Sequence, residues 1–207
     1  MIVTRRYIAA VILIIIAAII SFLGIKKYES SQAFSENKFK IVLDAGHGEP
    51  DGGAVGVNGT IEKDINFAIV QKLQEVLEGR GAEVILTRGD DYGLQDESAE
   101  TIREMKVSDM NKRLEIMKES GADLFLSIHM NSFSDGSVHG LHIFYAKSHP
   151  EAEETAKRIQ ENIAEVTGAE AHAVKTADEN LYLKKDPPMP AILAECGFLS
   201  NQEEEKK

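Results

Sequence analysis

Ile41-Val42-Leu43-Asp44-Ala45-Gly46-His47-Gly48 decides how this chain is read: a short apolar run stops at a histidine flanked by glycines. A run that short and apolar reads as a buried strand, spanning 39–43. Gly46 and Gly48 let the backbone turn sharply, so the His47 imidazole can project from the rim of a sheet instead of packing beneath it. Taken alone, His47 serves equally as a metal ligand, a catalytic base or a turn residue bonded to its own loop. Its companions decide which.

Outward from this turn, strand-like runs recur at 82–87, 124–128, 141–145 and 191–195, each short and apolar. Helical spacing appears between them. Ile61, Ile65, Ile69, Leu73, Val76 and Leu77 form one stripe, with Thr60 as the expected N-cap and Gly79 or Gly81 as the stop. A second helix is expected over 107–119. A third, over 151–166, turns Ala152, Ala156, Ile159, Ile163 and Val166 inward. The alternation predicts an α/β fold: a three-layer αβα domain around a twisted, mainly parallel sheet. Residues 89–105 form a polar connection long enough to be a binding element or disordered.

Upstream, residues 8–25 are apolar apart from Ser21 and Gly24, preceded by Arg5-Arg6 and followed by Lys26-Lys27. That length approaches the span of a bilayer core. The expected organisation is a membrane anchor or signal segment over 1–27, a polar linker over 28–38 and a folded domain over 39–207. An uncleaved transmembrane anchor is favoured over a signal helix, because the nearest small-residue cleavage site, Ser31-Gln32-Ala33, lies beyond two lysines. Equal flanking charge leaves its orientation to the function of the domain. Residues 1–27 hold four of the positive charges and no negative ones, so the formal net charge of −11 becomes −15 without them. A domain that acidic does not steer toward nucleic acid. Cys196 is the single cysteine, which rules out an intrachain disulfide and reads as a small core residue.

A strand followed by Gly-x-Gly invites a dinucleotide-binding reading, but Asp51 stands where the third glycine belongs and Glu49-Pro50-Asp51 puts carboxylates where a pyrophosphate would sit. The metal reading gains from Glu62, in the first turn of the first helix, and His129, immediately after the buried run 124–128. If the strands carrying the two histidines are neighbours, the three side chains converge at one sheet edge. Two imidazoles and one carboxylate with a fourth position open suit catalytic zinc. Individually, Glu62 could instead complement the helix dipole and His129 could be a satisfied buried histidine. Glu195 ends the most apolar late strand, where it could tune its pKa beside a metal and move a proton, or pair with Lys184 or Lys185. His139, His142, His149 and His172 fit no ligand position and read as structural or exposed.

Asp44-Ala45-Gly46-His47-Gly48, Glu62, Ser127-Ile128-His129-Met130-Asn131-Ser132 and Glu195-Cys196-Gly197-Phe198-Leu199-Ser200-Asn201 together resemble, in order and interval, the zinc-dependent N-acetylmuramoyl-L-alanine amidases of bacterial cell walls, the amidase 3 family. The match covers residues 40–201. The resemblance implies one zinc ion per chain on His47, Glu62 and His129, with Glu195 as the catalytic carboxylate. It also implies hydrolysis, by zinc-activated water, of the amide joining the lactyl group of N-acetylmuramic acid to L-alanine of the stem peptide. Within the family, the single N-terminal hydrophobic segment, the lack of a wall-binding repeat and the style of the 87–109 connection resemble the germination-specific amidases of spore formers. Those enzymes act on spore cortex in preparing muramic δ-lactam.

That likeness implies peptidoglycan as partner, membrane contact through the N-terminal segment, and an activating or localising protein. The expected location is extracytoplasmic, anchored or secreted, such as the forespore intermembrane space. Two departures stand out. Lys118 replaces the usual Asn, and the family continues past Phe-Leu-Ser-Asn into a last helix covering the sheet. That helix is expected to be missing here, either because the sequence is truncated or because the domain lacks a layer; truncation would leave an apolar face exposed and stability poor. Two rival functions use the same residues: another zinc hydrolase on cell-wall substrates (a deacetylase or peptidase), or a non-catalytic wall-binding regulator.

Overall fold

β1 (Lys40–Ala45) holds the apolar run of the opening motif and lies inside the sheet, paired in parallel with β2 (Glu83–Leu86) on one side and β3 (Leu124–Asn131) on the other. The computed structural model describes residues 38–177, 183 and 186–207. The apolar segment 8–25, the linker as far as residue 37, and Lys184 and Lys185 lie outside the described residues. No helix within them is long and apolar enough to cross a membrane.

The remaining strands are β4 (His142–Tyr145), β5 (Lys175–Thr176) and β6 (Ala191–Phe198), and the six-stranded sheet has the order β2-β1-β3-β6-β4-β5. Every pairing is parallel except β4 against β6. Helices α1 (Glu62–Glu78), α2 (Ile102–Glu119) and α3 (Pro150–Thr167) connect β1 to β2, β2 to β3, and β4 to β5; a short α4 (Gln202–Glu205) follows β6. The chain therefore forms a mixed α/β fold with a mostly parallel sheet.

Strand periodicity divides the core in two. Ile41, Leu43, Leu126, Ile128, Ile192 and Ala194 face α1 and α3, which supply Ile69, Leu73, Ile159 and Ile163. The alternate residues Val42, Phe125 and Leu193 face α2, which supplies Leu114 and Met117. The chain steps outward from β1 to β2 and then back across β1 to β3, so right-handed crossovers put α1 and α2 on opposite faces. The reversal falls between β1 and β3, and in open α/β sheets the carboxyl edge at such a point is where ligands bind.

Several expectations are corrected. Thr60 is not the N-cap of α1: Ile61 holds that position without a side-chain cap. The first free amides go instead to loop carbonyls, Glu62 N to Ala54 O and Lys63 N to Gly52 O. Helix α2 begins five residues earlier than expected, at a capping box in which Thr101 and Glu104 bond reciprocally. Val166 is 54% exposed rather than inward, since the 18-residue α3 outruns the four-residue β4 and two-residue β5 beneath it. Lys118 is exposed on α2. The exposed apolar sheet face expected of an uncovered domain is not found among the described residues, where Val42, Phe125, Ala191 and Leu193 are at most 2% exposed.

Candidate metal centre and cleft

On β1, β3 and β6 the face turned toward α2 changes from apolar to polar at the carboxyl ends. Phe125 is followed on that face by Ser127 and His129, Val42 by Asp44, and Leu193 by Glu195. Register sets Asp44 against Ser127 and His129 against Glu195. Asp44 is fully buried and accepts hydrogen bonds from Ser127 Oγ, Thr87 Oγ1 and Arg113 Nη1. Burial alone would raise its pKa, but the Arg113 charge and the two hydroxyls outweigh that and lower it to about 2.

Arg113 holds the turn above. Its Nη1 also donates to Ala45 O at 2.8 Å, Nη2 donates to His47 O at 2.8 Å, and Nε and Nη2 donate to the Asp109 carboxylate. The turn needs holding, because His47 itself adopts the left-handed region (φ 63°) that non-glycine residues avoid. Gly46 serves space, whereas Gly48, at φ 146°, serves both space and torsional freedom. A Cβ on Gly46 would overlap the His129 ring, and one on Gly48 would meet the backbone of Gly93 in the 89–100 loop. Lys63 and Arg88 brace the far side. Lys63 Nζ binds Asp91 at 2.6 Å, and Arg88 reaches Ala45 O and Lys63 O.

The structure brings His47, Glu62 and His129 together. Glu62 Oε1 lies 3.2 Å from His47 Nε2 and 2.9 Å from His129 Nδ1, and one ligand atom from each residue falls within 4.8 Å of the others. Met130 N and Asn66 Nδ2 donate to the same Glu62 oxygen, while Ala54 N donates to Oε2. Burial opposes ionisation of Glu62, but bonds from His129 and His47 outweigh it and keep the carboxyl well below the ordinary range. On its outer side His47 Nδ1 faces Asp51 Oδ2 at 3.0 Å. Burial disfavours the charged ring, yet Asp51 and Glu62 together raise its pKa to about 9. Were a metal to replace the Nε2 proton, the outer carboxylate on Nδ1 would fix the tautomer whose Nε2 lone pair turns inward, the usual support of a metal-binding histidine. The donor set fits a divalent metal.

His47 and His129, with Glu62 buried behind them, open into a cleft of about 660 Å³ lined also by Asp51, Gln95, Ile102, Met105, Lys106 and Glu195. Burial raises the Glu195 pKa, with Glu62 adding to it. Its Oε2 is buried with no hydrogen-bond partner among the described residues, so one oxygen is left for a ligand to meet. The 89–100 loop is an ordered wall: Gln95 Nε2 donates to Glu49 O, and Leu94 N to Asp109 Oδ1. The other histidines stand apart from the cluster. His142 packs on His172 with centroids 4.4 Å apart, His149 bonds Pro187 O, and His139 is exposed. Cys196 is buried and its thiol is pushed up to about 12 by that burial.

Asp51, Arg113 and Asp109 were not legible as site residues. Asp51 entered only as an obstacle to phosphate, and the polar composition of α2 hides two residues that reach inward.

Two imidazoles and a carboxylate at the carboxyl edge of a mostly parallel sheet, beside a buried glutamate in an open cleft, describe a hydrolase of the kind that can use a divalent metal. Residues 41–207 match Amidase_3, N-acetylmuramoyl-L-alanine amidase. The chain is 35% identical over 164 residues to the germination-specific N-acetylmuramoyl-L-alanine amidase of Bacillus subtilis strain 168, covering 79% of this chain and 68% of that protein. It is 33% identical to LytC of the same organism, over 81% of this chain and 31% of LytC. Among solved structures, the CwlD amidase from Clostridioides difficile in complex with the GerS lipoprotein aligns with a TM-score of 0.77 and 43% identity, covering 82% of this chain and 87% of that one. The chain belongs to the Amidase_3 family and is an N-acetylmuramoyl-L-alanine amidase.

Proposed function

We propose that this amidase cuts spore-cortex peptidoglycan on the path to muramic δ-lactam, with one zinc ion on His47 Nε2, Glu62 Oε1 and His129 Nδ1. The observation that carries the reading is the convergence of those three atoms beside the partnerless Glu195 Oε2. Zinc, when bound, supplies a Lewis acid that polarises the scissile carbonyl and lowers the pKa of water. Glu195 Oε2 takes the proton of the attacking water and returns it to the departing L-alanine nitrogen. Asp51 and Arg113 hold His47 in place, and the 89–100 loop and the start of α2 wall the cleft. Likeness to the germination-specific amidase and to CwlD supports the cortex assignment. The GerS lipoprotein in the CwlD structure supports a protein partner for this chain. The apolar segment 8–25 supports an extracytoplasmic domain held at a membrane, joined by the linker to the catalytic domain from residue 39.

The test joins metal analysis to a cortex digest followed by mass spectrometry. One zinc per chain and released peptides with an L-alanine N-terminus are expected, with δ-lactam appearing once a deacetylase acts on the same glycan. Peptides bearing any other new terminus would favour a peptidase. Gly46→Ala gives a geometric control. The added methyl must displace the His129 ring, so zinc affinity in a chelator competition should fall about 10- to 100-fold with the far-ultraviolet spectrum retained.

A further inference from the structure

One face of α2 stands over the cleft, carrying Ile102, Met105, Lys106, Asp109, Met110 and Arg113 at helical spacing. Its two cations differ in what they can still do. Arg113 spends all five N–H donors of its guanidinium on Asp44, Ala45 O, His47 O and Asp109, so it has none for a ligand. Lys106 is half-exposed, and its ammonium lies 3.3 Å from Asp51 Oδ2, the same oxygen that faces His47 Nδ1. Also lining the cleft are the carboxylates of Asp51, Asp109 and Glu195 and the imidazoles of His47 and His129, and the Asp109 carboxylate is already paired with Arg113. An ammonium whose one ion-pair partner among the described residues is Asp51, half-exposed at the cleft of a strongly acidic domain, is placed to receive an anion that the rest of the surface would repel.

We propose that Lys106 binds a carboxylate on the peptide half of the substrate, one or two residues beyond the scissile amide, and thereby selects acidic stem peptides. The substrate's own chemistry assigns the half. Muramic acid's carboxyl group is consumed in the amide, so the sugar side brings no anion and the negative charge resides on the peptide. Lys106 lies 3.3 Å from the Asp51 oxygen that is itself 3.0 Å from His47, and an extended residue advances a chain by about 3.3–3.6 Å, so the ammonium faces the first residues past the amide and not a distant part of the peptide. The proposal rests on the proposed function, in which the scissile amide meets the His47, Glu62 and His129 cluster beside Glu195.

The test uses zinc-loaded enzyme and two synthetic N-acetylmuramoyl peptides that differ only in whether the peptide carboxylates are free or amidated. A charge-assisted bond at a partly wet site favours the free acid by about tenfold in kcat/KM, carried by KM. Lys106→Met should bring that ratio to near one, and Lys106→Arg should restore it. Loss of activity on both substrates alike, accompanied by weakened zinc binding, would mean that Lys106 only braces Asp51 and would overturn the proposal. A wild-type ratio near one would overturn it as well. The reading beneath it fails separately, if Glu195→Gln still cuts both peptides.

Discussion

Glu195→Gln enzyme is expected to keep one zinc per chain and lose about 10²- to 10⁴-fold in kcat, the contribution of a positioned general base. The two side chains are nearly the same size, so the β6 packing around residue 195 should survive. Residue 195 adds no atom to the cluster of His47, Glu62 and His129, so metal affinity should survive too. What disappears is the proton acceptor. An amide oxygen cannot take a proton from water at neutral pH, and the orphaned, buried Oε2 is where that proton is expected to go. Metal analysis and steady-state kinetics on the same sample separate the outcomes. Undiminished turnover would remove Glu195 from the chemistry, whereas lost metal would make it a positioning group. By contrast, His129→Ala should lose metal first and activity as a result.

The second large effect is structural. Arg113→Met removes the counter-charge of Asp44 and leaves a fully buried carboxylate without its guanidinium, beside the hydroxyls of Thr87 and Ser127. Breaking a buried pair from one side costs about 3–5 kcal/mol, on the order of 10 °C in Tm for a domain of this size. The pH dependence distinguishes this cause from a packing defect. In the wild type the folded-state pKa of Asp44, about 2, lies below its unfolded value, so its contribution is complete above about pH 4 and is lost as pH falls toward 2. Without Arg113, burial dominates and the folded-state pKa rises. The variant then loses stability as pH climbs from acid to neutral, and its Tm deficit should be larger at pH 7 than at pH 3. A deficit independent of pH would mean that Arg113 acts through packing alone.

Both effects involve residues whose visibility in the sequence differed. The strands β1, β3 and β6 were legible because both faces are covered, which forces nearly continuous apolar runs such as Leu124–Ile128. Strand β5 has two residues, Lys175 and Thr176, too few to carry any period. The early part of α2 escaped because Ile102, Met105 and Lys106 line a cleft instead of a core and show no inward apolar stripe. Ile102 there is 74% exposed. The Thr101/Glu104 capping box was the available signal. His47, Glu62, His129 and Glu195 stood out as reactive residues at element ends. Arg113 and Asp109, four residues apart on α2, drew no reading at all, because nothing in a sequence tells a helix face turned to water from one turned to a buried aspartate.

His129 and Glu195 sit opposite each other in a parallel ladder, and a strand's side chains alternate faces. If β6 slid by a single residue, Ala194 or Cys196 would stand where Glu195 does, and the glutamate would point into the apolar layer beneath α1 and α3. With Glu195 in its proposed role, a chain assembled in that way is expected to carry full secondary structure and cut nothing. Recovered amidase activity after denaturation therefore counts the chains whose central strands have found their correct alignment, which circular dichroism does not distinguish.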